Sequence, residues 1–474
     1  MSTFDLCSQD RQIIWKNLIQ QLEKHYEQGI NERVAPGLNL DEIMALAGKY
    51  SPDHPVPPDE AINHVLEGMN RYIVHTTDPN YYGLFNPRPA FPAIIADLIT
   101  AIYNPQLAAW SHAPFPNEVE NFLVRQFGKK FNYRDQDIDG VFATGGAEAN
   151  LTAVLAALNH SYPEYSITGL QHTGANPVMY CSEETHHSVA RAARIAGLGL
   201  DAVIKVRLDQ ALRLDPDVLA TQIEKDKKSG KHPFMVTATA GATGTGVIDD
   251  LAGIGRICEK HNLWFHTDAA YGGAALFMED GEDLLKGIGM SHSITFDIHK
   301  WLSVPMCASM FITREKEILG KTFRITADYM PKEANQLDIV DPYTHSIQWS
   351  RRFTGLKLYL SLLIFGWEGF RETIRQQAEA GNYLKRELTG NGWELLNDTP
   401  LPVACFSSPE HVEDPEFTRS ICDRVVQSGK AWISLYQVNG TYTLRACITN
   451  YNTGKKEIDQ LIGLLNEFRN GYRK

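Results

Sequence analysis

Phe265-His266-Thr267-Asp268-Ala269-Ala270-Tyr271-Gly272-Gly273 and Ser293-Ile294-Thr295-Phe296-Asp297-Ile298-His299-Lys300-Trp301 decide how this chain reads. The first sets an acid, Asp268, directly behind the apolar run Leu263-Trp264-Phe265. The second sets a lysine, Lys300, behind another β-leaning run. Outward from these, residues 117–310 alternate between helical and strand patterns. Strands are expected at Gly140–Ala143, Val178–Cys181, Phe234–Thr239 and Leu263–His266. Helices are expected at Glu118–Phe127, Leu151–Leu158, Ser188–Ile195 and Ile254–His261. Such alternation predicts an α/β fold with a mostly parallel central sheet flanked by helices.

Further out the pattern changes. In residues 1–50, Ile13, Ile14, Trp15, Leu18, Ile19, Leu22 and Tyr26 recur at helical spacing, which predicts an amphipathic arm. Its apolar stripe is buried either on its own subunit or on a partner. Residues 51–92 carry Pro52, Pro55, Pro57, Pro58, Pro79, Pro87, Pro89 and Pro92, so turns dominate there. They include an aromatic loop, Asn80-Tyr81-Tyr82-Gly83-Leu84-Phe85-Asn86-Pro87-Arg88-Pro89, before a helix over Phe91–Tyr103. Residues 315–350 are polar and aperiodic, the signature of a lid, an active-site loop or disorder. A long helix is expected over Leu356–Leu388, with Gly366 and Gly381 as possible breaks. A small α+β region follows, its clearest strand at Tyr442–Ile448. The expected division is an N-terminal helical arm and dimerisation segment over 1–85, a large domain over 86–365 and a small C-terminal domain over 366–474.

The chain has 474 residues, 43% of them hydrophobic and 22% charged, which is ordinary for a globular protein and excludes a low-complexity chain. A net charge of −12 argues against nucleic acid as the main partner, since no basic excess exists to release phosphate counterions. The 7 cysteines are scattered without a C-x-x-C pair, a pattern of reduced thiols in a cytoplasmic protein. The first residues show no signal-peptide core, and no run reaches the roughly 18 apolar residues of a membrane span.

The chemistry starts from Asp268 and Lys300. An acid at one strand end and a lysine at another suit pyridoxal phosphate. That cofactor needs a carboxylate to keep its pyridine nitrogen protonated and an amine to hold its aldehyde as a Schiff base. The turn Thr144-Gly145-Gly146-Ala147 leads from a strand into a helix, whose free N–H groups suit a phosphate monoester. No Gly-Lys-Ser/Thr follows that turn, and no complete G-x-G-x-x-G occurs, which weakens nucleotide and dinucleotide readings. His186 and His187 invite a metal reading with His266 and Asp268. Adjacent residues of an extended segment face opposite ways, and no Cys/His cluster supports them, so no metal is assigned. No G-x-S-x-G elbow supports a serine hydrolase.

Thr144-Gly145-Gly146-Ala147-Glu148-Ala149-Asn150, Thr185-His186-His187-Ser188-Val189, His266-Thr267-Asp268-Ala269-Ala270-Tyr271 and His299-Lys300-Trp301 stand in an informative order. In that order and spacing the chain resembles the group II pyridoxal-phosphate-dependent amino acid decarboxylases, from about Asn80 to Asn450. The resemblance implies a fold-type I enzyme of the aspartate aminotransferase kind, a homodimer with active sites shared between subunits. It implies an L-amino acid converted to the amine and carbon dioxide through an external aldimine and a quinonoid. Lys300 resembles the Schiff-base lysine, Asp268 the partner of the pyridine nitrogen, and His186 the histidine stacked on the ring opposite Ala270. Gly146, Ala147 and His299 match phosphate-binding positions, with Ala147 where a serine is common, and Thr243 matches a threonine near the cofactor. Tyr329 matches the mobile-loop tyrosine similar to a proton donor, and Arg445 the arginine that holds the substrate α-carboxylate.

The substrate is expected to be an aromatic or acidic L-amino acid. Phe85 and Trp110 suit an aromatic side chain. Arg88 suits a side-chain carboxylate, which a guanidinium grips bidentately, or else pairs with a local acid or faces solvent. The competing reading is another reaction on the same cofactor, namely transamination, carbon–carbon lysis or aldehyde synthesis. No nucleic acid and no membrane enters either reading.

Overall fold

The strand runs between 139 and 313 are apolar on both sides because both faces of their sheet are covered. The computed structural model describes residues 4–28, 33–172, 175–325 and 339–472. The strands are β1 (Asp139–Ala143), β2 (Pro177–Ser182), β3 (Val203–Val206), β4 (His232–Thr239), β5 (Trp264–Asp268), β6 (Ser293–Phe296) and β7 (Ser309–Thr313). They lie in the order β1-β7-β6-β5-β4-β2-β3. Neighbours from β6 to β3 are parallel, and β7 is antiparallel to both β6 and β1. The fold is therefore α/β with a mostly parallel central sheet, the fold-type I arrangement.

Side chains alternate between two apolar clusters as the pleat requires. Phe142, Tyr180, Val236, Phe265, Ile294 and Met310 face one cluster. Val141, Met179, Met235, Trp264 and Phe311 face the other.

The helices begin where the sequence supplies starts. The N-terminal arm holds α1 (Ser8–Gln28), α2 (Leu40–Ala47) and α3 (Pro58–Arg71). Next come α4 (Phe91–Tyr103) and α5 (Pro114–Lys130), both opened by proline in the first turn. Helix α6 (Gly146–Ser161) leaves β1 through the Thr144-Gly145 turn, and α7 (His187–Ile195) is capped by His186. Asp215 and Asp250 cap α8 (Pro216–Lys228) and α9 (Leu251–His261) through their side chains. Helix α6 starts before the expected Leu151, because Ala147, Glu148 and Ala149 are good helix formers that continue the turn.

Helix α10 (Leu356–Gly390) crosses from the large sheet to the C-terminal region. It is bent at Gly366, whose φ of 62° is left-handed, and is unbroken at Gly381. There the missing side chain lets Pro402 approach: a Cβ on Gly381 would lie 2.4 Å from that of Pro402. The C-terminal sheet is antiparallel in the order β10 (Ser434–Val438), β11 (Thr441–Cys447), β9 (Val403–Ser407), β8 (Glu394–Leu395). It packs on α11 (Pro415–Ser428) and α12 (Lys455–Asn470) through Phe406, Leu444, Ile421 and Leu461.

Candidate active site

The carboxyl ends of β4, β5 and β6 stand side by side, with Thr239 opposite Asp268 and Asp268 opposite Thr295. Helix α6 meets them from the next loop, so four sequence motifs converge, as expected at strand ends in an open α/β sheet. Asp268 is buried, and its two oxygens accept from the side-chain amide of Asn150 at 2.9 Å and the backbone N–H of Ala270 at 3.1 Å. Both donors are neutral. Ala270 is buried in the turn behind it.

Lys300 reaches back to Asp297, with its ammonium 3.0 Å from the carboxylate. Asp297 is buried, and its other oxygen has no hydrogen-bond partner. The first turn of α6 lies against Asp297, where a Cβ on Gly146 would come within 2.9 Å of the carboxylate. Glycine is thus required by close approach, and the first-turn N–H groups of Gly146 and Ala147 have no acceptor inside the helix. His299 Nε2 is 4.0 Å from Asp297, and burial pushes its imidazole below the ordinary range. His186 caps α7, with Nδ1 accepting from the Ser188 backbone N–H at 3.3 Å and lying 2.7 Å from the Ser188 hydroxyl. Partial burial holds the His186 imidazole below its ordinary value, against the opposing pull of Asp268.

Above this floor stands a stack of rings. Phe85 lies on Tyr271 at 3.7 Å between centroids, and Tyr271 on Trp301 at 5.1 Å. Two cations share the Phe85 ring, Lys300 at 5.5 Å and the Arg445 guanidinium at 5.1 Å. Arg445 is only 2% exposed and donates to the carbonyls of Gly244 at 2.9 Å and Gly83 at 2.7 Å. Its Nη2 has no hydrogen-bond partner among the described residues. A buried guanidinium in that state suits an anionic ligand.

These residues fit pyridoxal phosphate: a buried anion, a lysine within reach, a helix start free of acceptors and a histidine beside them. The family model for the pyridoxal-dependent decarboxylase conserved domain matches residues 41–408.

The chain belongs to that family.

As a pyridoxal-dependent decarboxylase it is a carboxy-lyase that uses pyridoxal phosphate to remove the carboxylate of an amino acid. It is similar to the aromatic-L-amino-acid decarboxylase of Bacillus atrophaeus, 28% identical over 90% of this chain and 89% of the relative. It is also similar to the acidic amino acid decarboxylase GADL1 of Xenopus tropicalis, 29% identical over 80% of this chain and 74% of the relative. The fold matches the structure of Oryza sativa TDC with PLP and tryptamine at a TM-score of 0.93. That match is 20% identical and covers 99% of both chains.

Not every expected residue of this decarboxylase joins the cluster. Arg88 donates to the backbone carbonyl of Tyr26 on α1 and stacks on its ring at 4.1 Å. Trp110 donates its indole N–H to Glu118 and its backbone N–H to Asp341, each at 2.8 Å. Thr243 sits half-buried in the loop after β4, one residue before the carbonyl that holds Arg445. Tyr329 lies outside the described residues. Residues that sequence reasoning passed over also stand here. Asp297 precedes Lys300 by one helical turn's spacing, and Asn150 closes the Gly-Gly-Ala-Glu-Ala-Asn run. Only the register of the sheet shows that α6 carries Asn150 to the end of β5.

Proposed function

We propose that this decarboxylase acts on an aromatic or acidic L-amino acid, and that the aromatic class is favoured. The observation that carries the reading is Arg445, which is buried and, like Lys300, lies over the Phe85 ring, with its Nη2 unpartnered among the described residues. One guanidinium there suits one carboxylate, the α-carboxylate of the substrate, and the Phe85–Tyr271 stack suits a flat side chain beside it. Arg88, the expected reader of a second carboxylate, is engaged by Tyr26. The acidic class is supported by similarity to the GADL1 relative.

The following roles are proposed for these residues. When bound, pyridoxal phosphate supplies the electron sink for the pair released as the Cα–carboxylate bond breaks. Lys300 would hold the cofactor through its amine. Asp268 would hold a proton on the pyridine nitrogen, with His186 and Ala270 flanking the ring. Gly146 and Ala147 donate backbone N–H groups to the phosphate, with His299 and Thr243 beside it. Arg445 would hold the substrate α-carboxylate, and Phe85 and Trp110 would bound the substrate. Tyr329 is the proposed donor of the proton that replaces the carboxylate at Cα.

The assembly is proposed as a cytoplasmic homodimer with shared sites. Its arm leaves Ile13, Trp15, Ile19, Met44 and Val65 exposed, and α4 and α10 expose Ile102 and Ile364. A second copy of the chain is the partner that covers such a face. All seven cysteines are free, which supports a reducing compartment. We keep the domain division at 85/86 and 365/366, the second falling at the Gly366 bend.

The test is a product scan by mass spectrometry on a pool of L-amino acids with added pyridoxal phosphate. An aromatic amine supports the favoured class, and β-alanine or γ-aminobutyrate moves the assignment to the acidic class. Consumption of an amino acid without an amine overturns the substrate proposal altogether.

A further inference from the structure

We infer that Asn150 is a positioning residue that sets two properties of the site at once, the placement of the Asp268 carboxylate and the proton position on His186. The inference rests on the roles of Asp268 and His186 given above. It is carried by a network of hydrogen bonds centred on the Asn150 side-chain amide.

The network starts at the Trp264 indole N–H, which can only donate and lies 3.0 Å from the Ser293 hydroxyl oxygen. The Ser293 hydroxyl accepts there and lies 2.9 Å from His266 Nδ1, which also faces the Ser293 backbone carbonyl at 3.1 Å. His266 Nε2 lies 3.0 Å from the Asn150 side-chain carbonyl. The hydroxyl of Thr295 donates to the same carbonyl at 2.8 Å. His266 is fully buried, and burial pushes its imidazole down to about 4, so the ring is neutral at working pH.

With its carbonyl engaged twice, the Asn150 amide has one orientation. Its two N–H groups go to Asp268 at 2.9 Å and to the Ser188 hydroxyl at 2.8 Å. The Asn150 amide thus fixes where that Asp268 oxygen sits. Ser188, having accepted, turns its proton to His186 Nδ1, which also faces the Ser188 backbone N–H. Nδ1 is thus occupied by donors, and His186 presents an N–H at Nε2. Asn150, Asp268 and Ser188 are all nine-tenths buried or more, so water does not substitute for the links among them, whereas His186 is exposed. A single amide therefore coordinates the residue that governs the pyridine nitrogen with the one that covers the ring.

Three variants of the full chain test this: Asn150→Asp, Asn150→Ala and Ser188→Ala. Pyridoxal phosphate is titrated into each, with its dissociation constant and the pH dependence of its visible absorbance band recorded. In Asn150→Asp two carboxylates meet at hydrogen-bond distance and share a proton. Affinity is expected to fall about tenfold, about 1.4 kcal/mol, with a new titration in the band. Asn150→Ala is expected to lose affinity without that titration. Ser188→Ala is expected to keep affinity within about threefold while kcat falls and KM holds, because only the His186 branch is cut. Wild-type affinity and an unchanged pH profile in both Asn150 variants would overturn the inference. Failure of the unmodified chain to bind pyridoxal phosphate would instead overturn the functional reading beneath it.

Discussion

His266 shows how much of the site depends on single buried residues. Its ring is closed in by Ser293, Thr295 and Asn150, and its pKa of about 4 lies below the ordinary histidine value near 6.5. The sign follows from linkage. The unfolded chain takes up a proton at this position as pH falls below 6.5, and the folded chain does so only near 4. The stability that neutral His266 contributes is therefore full above pH 6.5 and is lost as pH falls from 6.5 toward 4. Between pH 7.5 and 5 the loss is about 2 kcal/mol. Urea unfolding at the two pH values, compared with His266→Gln, measures it, and equal slopes in both proteins would remove His266 as a source. The residue proposed to carry the cofactor is Lys300. Lys300→Ala is expected to abolish amine production, read by mass spectrometry, while the protein stays folded by circular dichroism.

Elements place these residues, and some of that placement was legible in the sequence. Asp268 and Lys300 announce themselves because each ends an apolar run, and the Gly145-Gly146 turn because glycines interrupt a strand-to-helix change. Asn150 did not, because its partners come from strands far away in sequence. Arg88 was readable only as a cation in an aromatic loop, and the proximity of α1 is what sends it to Tyr26. The glycines of α10 make the same point. Both are candidate breaks by composition, yet Gly366 adopts a positive φ with open space around it, and Gly381 is helical under Pro402. Gly366→Ala is expected to cost about 1–2 kcal/mol through its backbone alone. Gly381→Val is expected to cost about 2 kcal/mol or more by overpacking. Thermal unfolding of the two variants separates these causes, and a neutral Gly381→Val would contradict the close packing.

At the scale of the whole molecule, the alternation of strand and helix told of the α/β fold, since fully buried parallel strands need long apolar runs. The antiparallel strand β7 was not singled out, because it is as apolar as its neighbours and direction leaves no mark on composition. The exposed stripe of the arm calls for a partner that one chain does not supply. Deletion of residues 1–50 is expected to shift the protein from dimer to monomer in sedimentation velocity, with loss of activity at low concentration. A dimer that survives the deletion would place the interface elsewhere. The central claim, that this fold brings Asp268, Lys300 and Arg445 together to decarboxylate an amino acid, is tested most directly by trapping the gas. The full chain, pyridoxal phosphate and a pool of carboxyl-labelled L-amino acids are incubated together, and labelled carbon dioxide is counted against amine formed. The account predicts one carbon dioxide for each amine from the unmodified chain and neither from Lys300→Ala. Amino acid consumed without labelled carbon dioxide, or equal release by the Lys300→Ala variant, would contradict it.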